Sequence, residues 1–195
     1  MMRLALTVVF ALTVLAAAPA SAQPPQDMAT LQASQREAMA RLSALDGLWR
    51  GPAWSLQTTG RRALVQTERV GPFLGGSVRI IEGRAYEADG SIGFNALGVI
   101  SYDPATSRYT LRSWAMGRTG EFPLRIADDG AIIWEMPAGP NSVIRHTARI
   151  GDGRWHEVSE LIRAGTPPLQ VGELDLRRIG DSEWPAGSPV PMSSD

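Results

Sequence analysis

Neither cysteine nor lysine occurs among the 195 residues, and each absence excludes something. Without cysteine the chain has no disulfide, no cysteine-ligated zinc or iron-sulfur site, no c-type haem attachment, no thiol nucleophile and no lipid-bearing N-terminal Cys. The 19 basic side chains are all arginine and face 20 acidic ones, for a formal net charge of -1. With no basic excess to neutralise phosphates, nucleic acid is not an expected partner. Histidine is nearly absent: His146 and His156 are the only two, so any imidazole-based acid-base, haem or metal chemistry must use one of them. Long apolar runs are lacking too. The longest, 4–15, is shorter than the roughly 20 residues of a membrane-spanning helix, so no membrane span is expected.

What that short run does carry is an export signal. Met1, Met2 and Arg3 give a positive start, the apolar run follows, and Ala20-Ser21-Ala22 supplies a small-residue cleavage site. Residues 1–22 therefore read as a secretory signal peptide, with a mature chain beginning at Gln23 in the periplasm or outside the cell. In that compartment disulfides are permitted, yet this domain must hold itself together by its core alone.

After a Pro-rich leader, Asp27 can cap a helix over 28–45 whose apolar positions Met28, Leu31, Ala38, Met39, Leu42 and Leu45 form one stripe interrupted by Gln35. Leader and helix occupy 23–46. From Leu48 onward the hydrophobic period changes to two, punctuated by Gly, Asp-Gly and Asp-Pro turns. About ten strands are expected, over 48–56, 62–70, 77–87, 91–102, 108–116, 120–126, 131–136, 142–150, 155–163 and 169–179. Residues 181–195, rich in Pro and Ser, read as a disordered tail.

Two hairpins can be registered residue by residue. Around Asp128-Asp129-Gly130, pairing Ala127 with Ala131 sets Ile126 opposite Ile132, Leu124 opposite Trp134 and Phe122 opposite Met136, a wholly apolar face. A two-residue Asp152-Gly153 turn pairs Ile150 with Trp155, Arg149 with His156, His146 with Ser159 and Arg145 with Glu160, the last as an outer ion pair. Slipping this register by one would put Arg145 and Arg149 on the face of Trp155 and Leu161. Successive short strands joined by tight turns favour an all-β, closed antiparallel up-and-down barrel over 47–180, because closure removes the edges. A two-sheet sandwich shares the same alternation and stays open as the alternative. No stretch suits the helical crossovers of a doubly wound nucleotide-binding fold.

Gly47-Leu48-Trp49-Arg50-Gly51, behind the leading helix, resembles the Gly-x-Trp opening of lipocalin-like barrels, in which the Trp packs across the closed end. Phe73-Leu74-Gly75-Gly76-Ser77, then Ala96-Leu97-Gly98-Val99-Ile100-Ser101-Tyr102-Asp103-Pro104 with Tyr109, then Asp128-Asp129-Gly130, follow the order of the secreted bacterial family called domain of unknown function 1579. The resemblance covers about residues 42 to 179. It implies a calycin-like barrel, brings no established activity and supplies no catalytic residues.

Few residues offer chemistry. His156-Glu157-Val158-Ser159-Glu160 is only superficially a zinc-protease motif, because the second His is missing and strand neighbours point apart. There is no Gly-x-Ser-x-Gly elbow, and Gly71-Pro72-Phe73-Leu74-Gly75-Gly76 lacks the Gly-Lys-Ser/Thr ending of a phosphate loop. His146 falls on the inner face near Glu157 and Ser159; His156 falls outside, which disfavours joint metal binding. Of Trp49, Trp54, Trp114, Trp134 and Trp155, any that do not fill the core could line a cavity, since a barrel of about ten strands encloses more space than an eight-stranded one that already holds a small ligand. The candidate ligand-binding residues are Trp134, Ile144, His146, Trp155 and Glu157, with no metal, no cofactor and no catalytic group assigned. The expected function is an exported barrel binding a small, largely apolar molecule. Two alternatives stand beside it: a barrel isomerase or hydrolase using His146 with Glu157, and a filled-barrel envelope protein acting through its surface. Oligomeric state is not legible.

Overall fold

The computed structural model describes residues 27–182; the expected signal peptide and most of the expected tail lie outside the described residues. Ten strands close in sequence order into one antiparallel barrel, with the first strand completing the ring against the last. They are β1 (Gly47–Gln57), β2 (Gly60–Phe73), β3 (Val78–Tyr86), β4 (Ile92–Asp103), β5 (Arg108–Ala115), β6 (Arg118–Ile126), β7 (Ile132–Pro137), β8 (Ser142–Gly151), β9 (Arg154–Arg163) and β10 (Leu169–Gly180). Closure leaves no sheet edge and decides against the sandwich. The largest departure from the expected strands is at β2, which runs on through Gly71 and Pro72 to Phe73 before a 3-10 turn at Leu74–Gly76.

The helix differs more. α1 (Met28–Ala40) begins at the Asp27 cap, whose carboxylate accepts from the Thr30 amide at 2.7 Å, but stops short of Leu45. A separate 3-10 turn, Ser43–Leu45, then redirects the chain so that Leu42 and Leu45 drop into the barrel end. Met28 is largely exposed, so only the C-terminal part of the expected stripe is buried. Gln35, which interrupts that stripe, has a partner: its amide donates to the Tyr102 carbonyl at 2.9 Å. Tyr109 donates to the Ala38 carbonyl at 2.7 Å, and the buried Arg79 guanidinium holds Asp46 at 2.8 and 3.1 Å and also donates to the Met39 carbonyl. These contacts fix α1 and its 3-10 turn across one end of the barrel.

Trp49 completes this plug, as the Gly-x-Trp resemblance implies. Its indole N–H donates to the Leu45 carbonyl at 2.8 Å, and its ring meets Trp155 edge-on with centroids 5.9 Å apart. Around it pack Met39, Leu42, Val70, Ile100 and Leu176, all essentially buried. Trp114 by contrast sits on the outer wall opposite Leu97, with 41% of its surface exposed, so it belongs to neither core nor cavity.

The β8/β9 hairpin has the expected register throughout, from Gly151 opposite Arg154 to Arg145 opposite Glu160. Asp152 and Gly153 both adopt positive φ, 51° and 67°, as a two-residue primed turn requires. The Arg145–Glu160 ion pair does not form; Arg145 instead holds Glu135 of β7 at 2.8 Å. The β6/β7 hairpin closes as expected through Ala127 to Ala131, and pairs Ile126 with Ile132 and Leu124 with Trp134. Pairing then stops, so Phe122 and Met136 are not ladder partners. Because the Ala127 amide bonds across the turn to the Ala131 carbonyl, next to the start of β7, alternation points the amides of Arg125 and then residue 123 the same way. Residue 123 is proline, has no N–H, and ends the ladder.

Candidate functional site in the barrel interior

Strand alternation turns one side of every strand inward, and at the end opposite α1 these inner faces do not meet. They enclose a cavity of about 620 Å³, within the range of small-molecule sites. Its walls are mainly apolar: Leu64, Ile81, Phe94, Leu111, Phe122, Leu124, Trp134, Met136 and Ile144 are among them. All five expected site residues, Trp134, Ile144, His146, Trp155 and Glu157, line this space.

At the floor, next to the Trp49 and Trp155 rings, the walls become polar. Trp134, His146 and Ser159 occupy one row across β7, β8 and β9. The Trp134 and His146 rings stack nearly parallel, 7° apart with centroids 4.8 Å apart. The Nδ1 of His146 lies 2.9 Å from Ser159 Oγ and 3.3 Å from Glu157 Oε1, while Trp155 donates to the other Glu157 oxygen at 3.3 Å. Both serine and carboxylate thus meet the same ring nitrogen. In a serine-based triad they would occupy opposite nitrogens, so Ser159 is not set up as a nucleophile here. The second ring nitrogen, Nε2, is buried and has no hydrogen-bond partner.

Sequence reasoning missed the other half of this floor. Gln66 and Glu68 on β2 point inward among Leu64 and Val70, and both are more than nine-tenths buried. Gln66 donates to Glu68 Oε1 at 2.5 Å; Glu68 Oε2 has no partner. Gly83 faces Glu68 across the β2/β3 ladder, and a Cβ there would lie 2.8 Å from both carboxyl oxygens, so the glycine makes room for the acid. Burial, followed by the nearby negative charges of Glu157 and Glu82, pushes the Glu68 pKa up from 4.5 to about 8, against the opposing hydrogen bond from Gln66. Glu68 is therefore mostly protonated at neutral pH.

The mouth is formed by the turns at the other end, with Leu56, Gln57, Phe94 and the Arg62–Glu87 ion pair at its rim. His156 lies on the outer wall, as expected, but it is not idle: it meets Glu173 at 2.8 Å, and Glu173 also accepts from Trp54 at 3.1 Å. The two histidines stay on opposite faces, and no cluster among the described residues could hold a metal ion. No described helix is long and apolar enough to cross a membrane.

Fold and interior together define a hollow, ten-stranded antiparallel barrel plugged at one end by a helix. The chain is similar in structure to a protein solved as "Crystal Structure of Rv2717c from M. tuberculosis", with a TM-score of 0.55, 16% identity, and coverage of 73% of this chain and 97% of that one. At this identity the likeness is one of fold. No protein-family model and no curated protein matches the chain.

Proposed function

We propose that this protein is an exported carrier or receptor that holds a small, largely apolar molecule inside the barrel. The observation that carries the reading is the hollow interior: a cavity of about 620 Å³ with apolar walls and a few convergent polar groups at its floor. Export rests on the pattern in residues 1–22, and mature protein sequenced from its N-terminus should begin at or next to Gln23. Lipocalin-like membership of the family called domain of unknown function 1579 stays part of this proposal, supported by the motif order and by the barrel.

The test is titration of the purified protein with apolar compounds while Trp fluorescence and melting temperature are followed. A ligand seated beside Trp134 and Trp155 should change their emission, and selective binding to the folded state should raise the melting temperature. His146→Ala should weaken a polar-headed ligand modestly, because one hydrogen bond nets about 1 kcal/mol, and leave a purely apolar probe almost unaffected. Failure of every apolar compound to bind would refute the carrier reading and favour a protein acting through its surface. One observation favours the enzyme alternative: Glu157 meets His146 Nδ1 and leaves Nε2 buried and unpartnered, as a general base would need. Turnover abolished by His146→Ala, with binding preserved, would establish it.

A further inference from the structure

The cavity floor is acidic, and its acids are unequal. Glu157 has a partner on each oxygen, His146 on one and Trp155 on the other. Glu68 has a partner on only one oxygen, although it is nine-tenths buried and lines the cavity. Among the described residues, the only guanidinium in the cavity wall is that of Arg62, which is at the mouth and paired with Glu87. Arg79, the one buried guanidinium among the described residues, is committed to Asp46 and the Met39 carbonyl at the plugged end. Among the described residues no guanidinium stands at the floor to neutralise an anionic head, and two carboxyl groups can receive a cationic one.

We propose that the ligand of this cavity is an amphiphilic amine, its apolar chain along the barrel walls and its ammonium group against Glu68. The inference rests on the carrier reading and names the ligand class. An ammonium has three donors and no acceptor. Its fit is to the two unpartnered atoms of the floor residues, Glu68 Oε2 and His146 Nε2. Both can accept, the second whenever the His146 proton sits on Nδ1, facing Glu157 and Ser159.

The charge balance of binding is also favourable. The groups facing Glu68 are Gln66 on its own strand, uncharged Trp49 and Gly83 opposite it on β1 and β3, Glu82 on β3, and Glu157 with its partner His146 from β9 and β8. In the empty barrel burial, aided by these acids, keeps the Glu68 proton in place. When an alkylammonium enters, the Glu68 O–H bond breaks, the proton leaves to solvent, and the carboxylate pairs with the incoming cation. One positive charge enters as another leaves, so no net charge is buried. A fatty acid carboxylate has no such exchange available and meets the negative charge of Glu157 as a like charge.

The experiment is calorimetric titration at pH 7 with decylamine, decanol and decanoate, each in two buffers of different ionisation enthalpy. Decylamine should bind about 10- to 100-fold more tightly than decanol, the range of a charge-assisted hydrogen bond. Decanoate should be weakest. The buffer dependence should report close to one proton released per decylamine bound and none for decanol. Glu68→Gln should abolish the proton release and bring decylamine towards decanol. Decanol binding as tightly as decylamine, decylamine binding without proton release, or decanoate binding best would each overturn the amine inference while leaving the carrier reading standing. No binding by any of the three would overturn the amine inference and weigh against the carrier reading as well.

Discussion

Glu68→Gln should change how stability depends on pH, in a direction fixed by the structure. The variant keeps the size and a polar head but removes the ionisation. In the folded protein the Glu68 pKa is raised from 4.5 to about 8, so the folded state holds a proton that the unfolded state has released throughout the interval between those values. Stability contributed by this group is complete below the unfolded value and is lost as pH rises through the folded one, at up to about 1.4 kcal/mol per unit. From pH 5.5 to 7.5 the loss amounts to roughly 2 to 3 kcal/mol. The other shifted carboxylates act elsewhere on the pH scale. Asp27, Asp89, Asp103, Asp129, Glu173 and Asp175 are lowered by their hydrogen bonds, so their contributions are full in this interval and are lost only in acid. Tyr109 is raised above 10 by burial and is neutral throughout. Urea unfolding of both proteins at half-unit pH steps measures the difference. The wild type should lose ground to the variant steadily as pH rises; parallel profiles would refute the account of Glu68 as a buried, protonated acid.

Three further outcomes follow from packing. Trp49→Ala should cost roughly 3 to 5 kcal/mol, because it empties the centre of the plug and orphans the Leu45 carbonyl; an unchanged denaturant midpoint would contradict its role. Gly83→Ala should cost about 1 to 3 kcal/mol by driving a methyl into the Glu68 carboxyl, and the loss should shrink when Glu68→Ala is added, as a double-mutant cycle would show. Amides of β7 beyond Trp134 that face the unpaired stretch of β6 should exchange faster than those of the β8/β9 ladder, and Pro123→Val should slow them by restoring a donor. Uniform protection across both seams would show that the proline does not set the opening.

The barrel was legible because each strand carries its own signal. Alternation assigns a face, and a turn such as Asp152-Gly153 fixes the register, after which every opposed pair of β8 and β9 follows arithmetically. The same local reasoning went wrong where a backbone rule competes with the side-chain pattern. Phe122 and Met136 match in hydrophobicity, but the ladder needs an amide at 123 and proline has none. It also went wrong for the helix: heptad-like spacing carries Leu42 and Leu45 into the α1 stripe, whereas the barrel end is better filled when a 3-10 turn swings both inward. For Arg145 the competition was between two neighbours, since a strand in a closed sheet has a partner on each side and Glu135 on β7 prevailed over Glu160 on β9.

The site was half legible for a related reason. Trp134, Ile144, His146, Trp155 and Glu157 belong to consecutive strands, so hairpin registers alone bring them together. Gln66 and Glu68 reach the same floor from β2, and only closure of β1 against β10 carries that strand round to face β8 and β9. No pairwise register between neighbours in sequence encodes this approach. A signal was present all the same: on the parity of Leu64 and Val70, which the alternation turns inward, Gln66 and Glu68 are polar intrusions on an apolar face. Burying a carboxyl with one oxygen unpartnered is costly, and a core selected for stability alone would place an apolar residue there. The same holds for His146, whose free nitrogen could be removed by an apolar residue stacked on Trp134. Two such costs, both at the floor of one cavity, are hard to derive from folding, and they are what a polar-headed ligand would offset on entering the barrel.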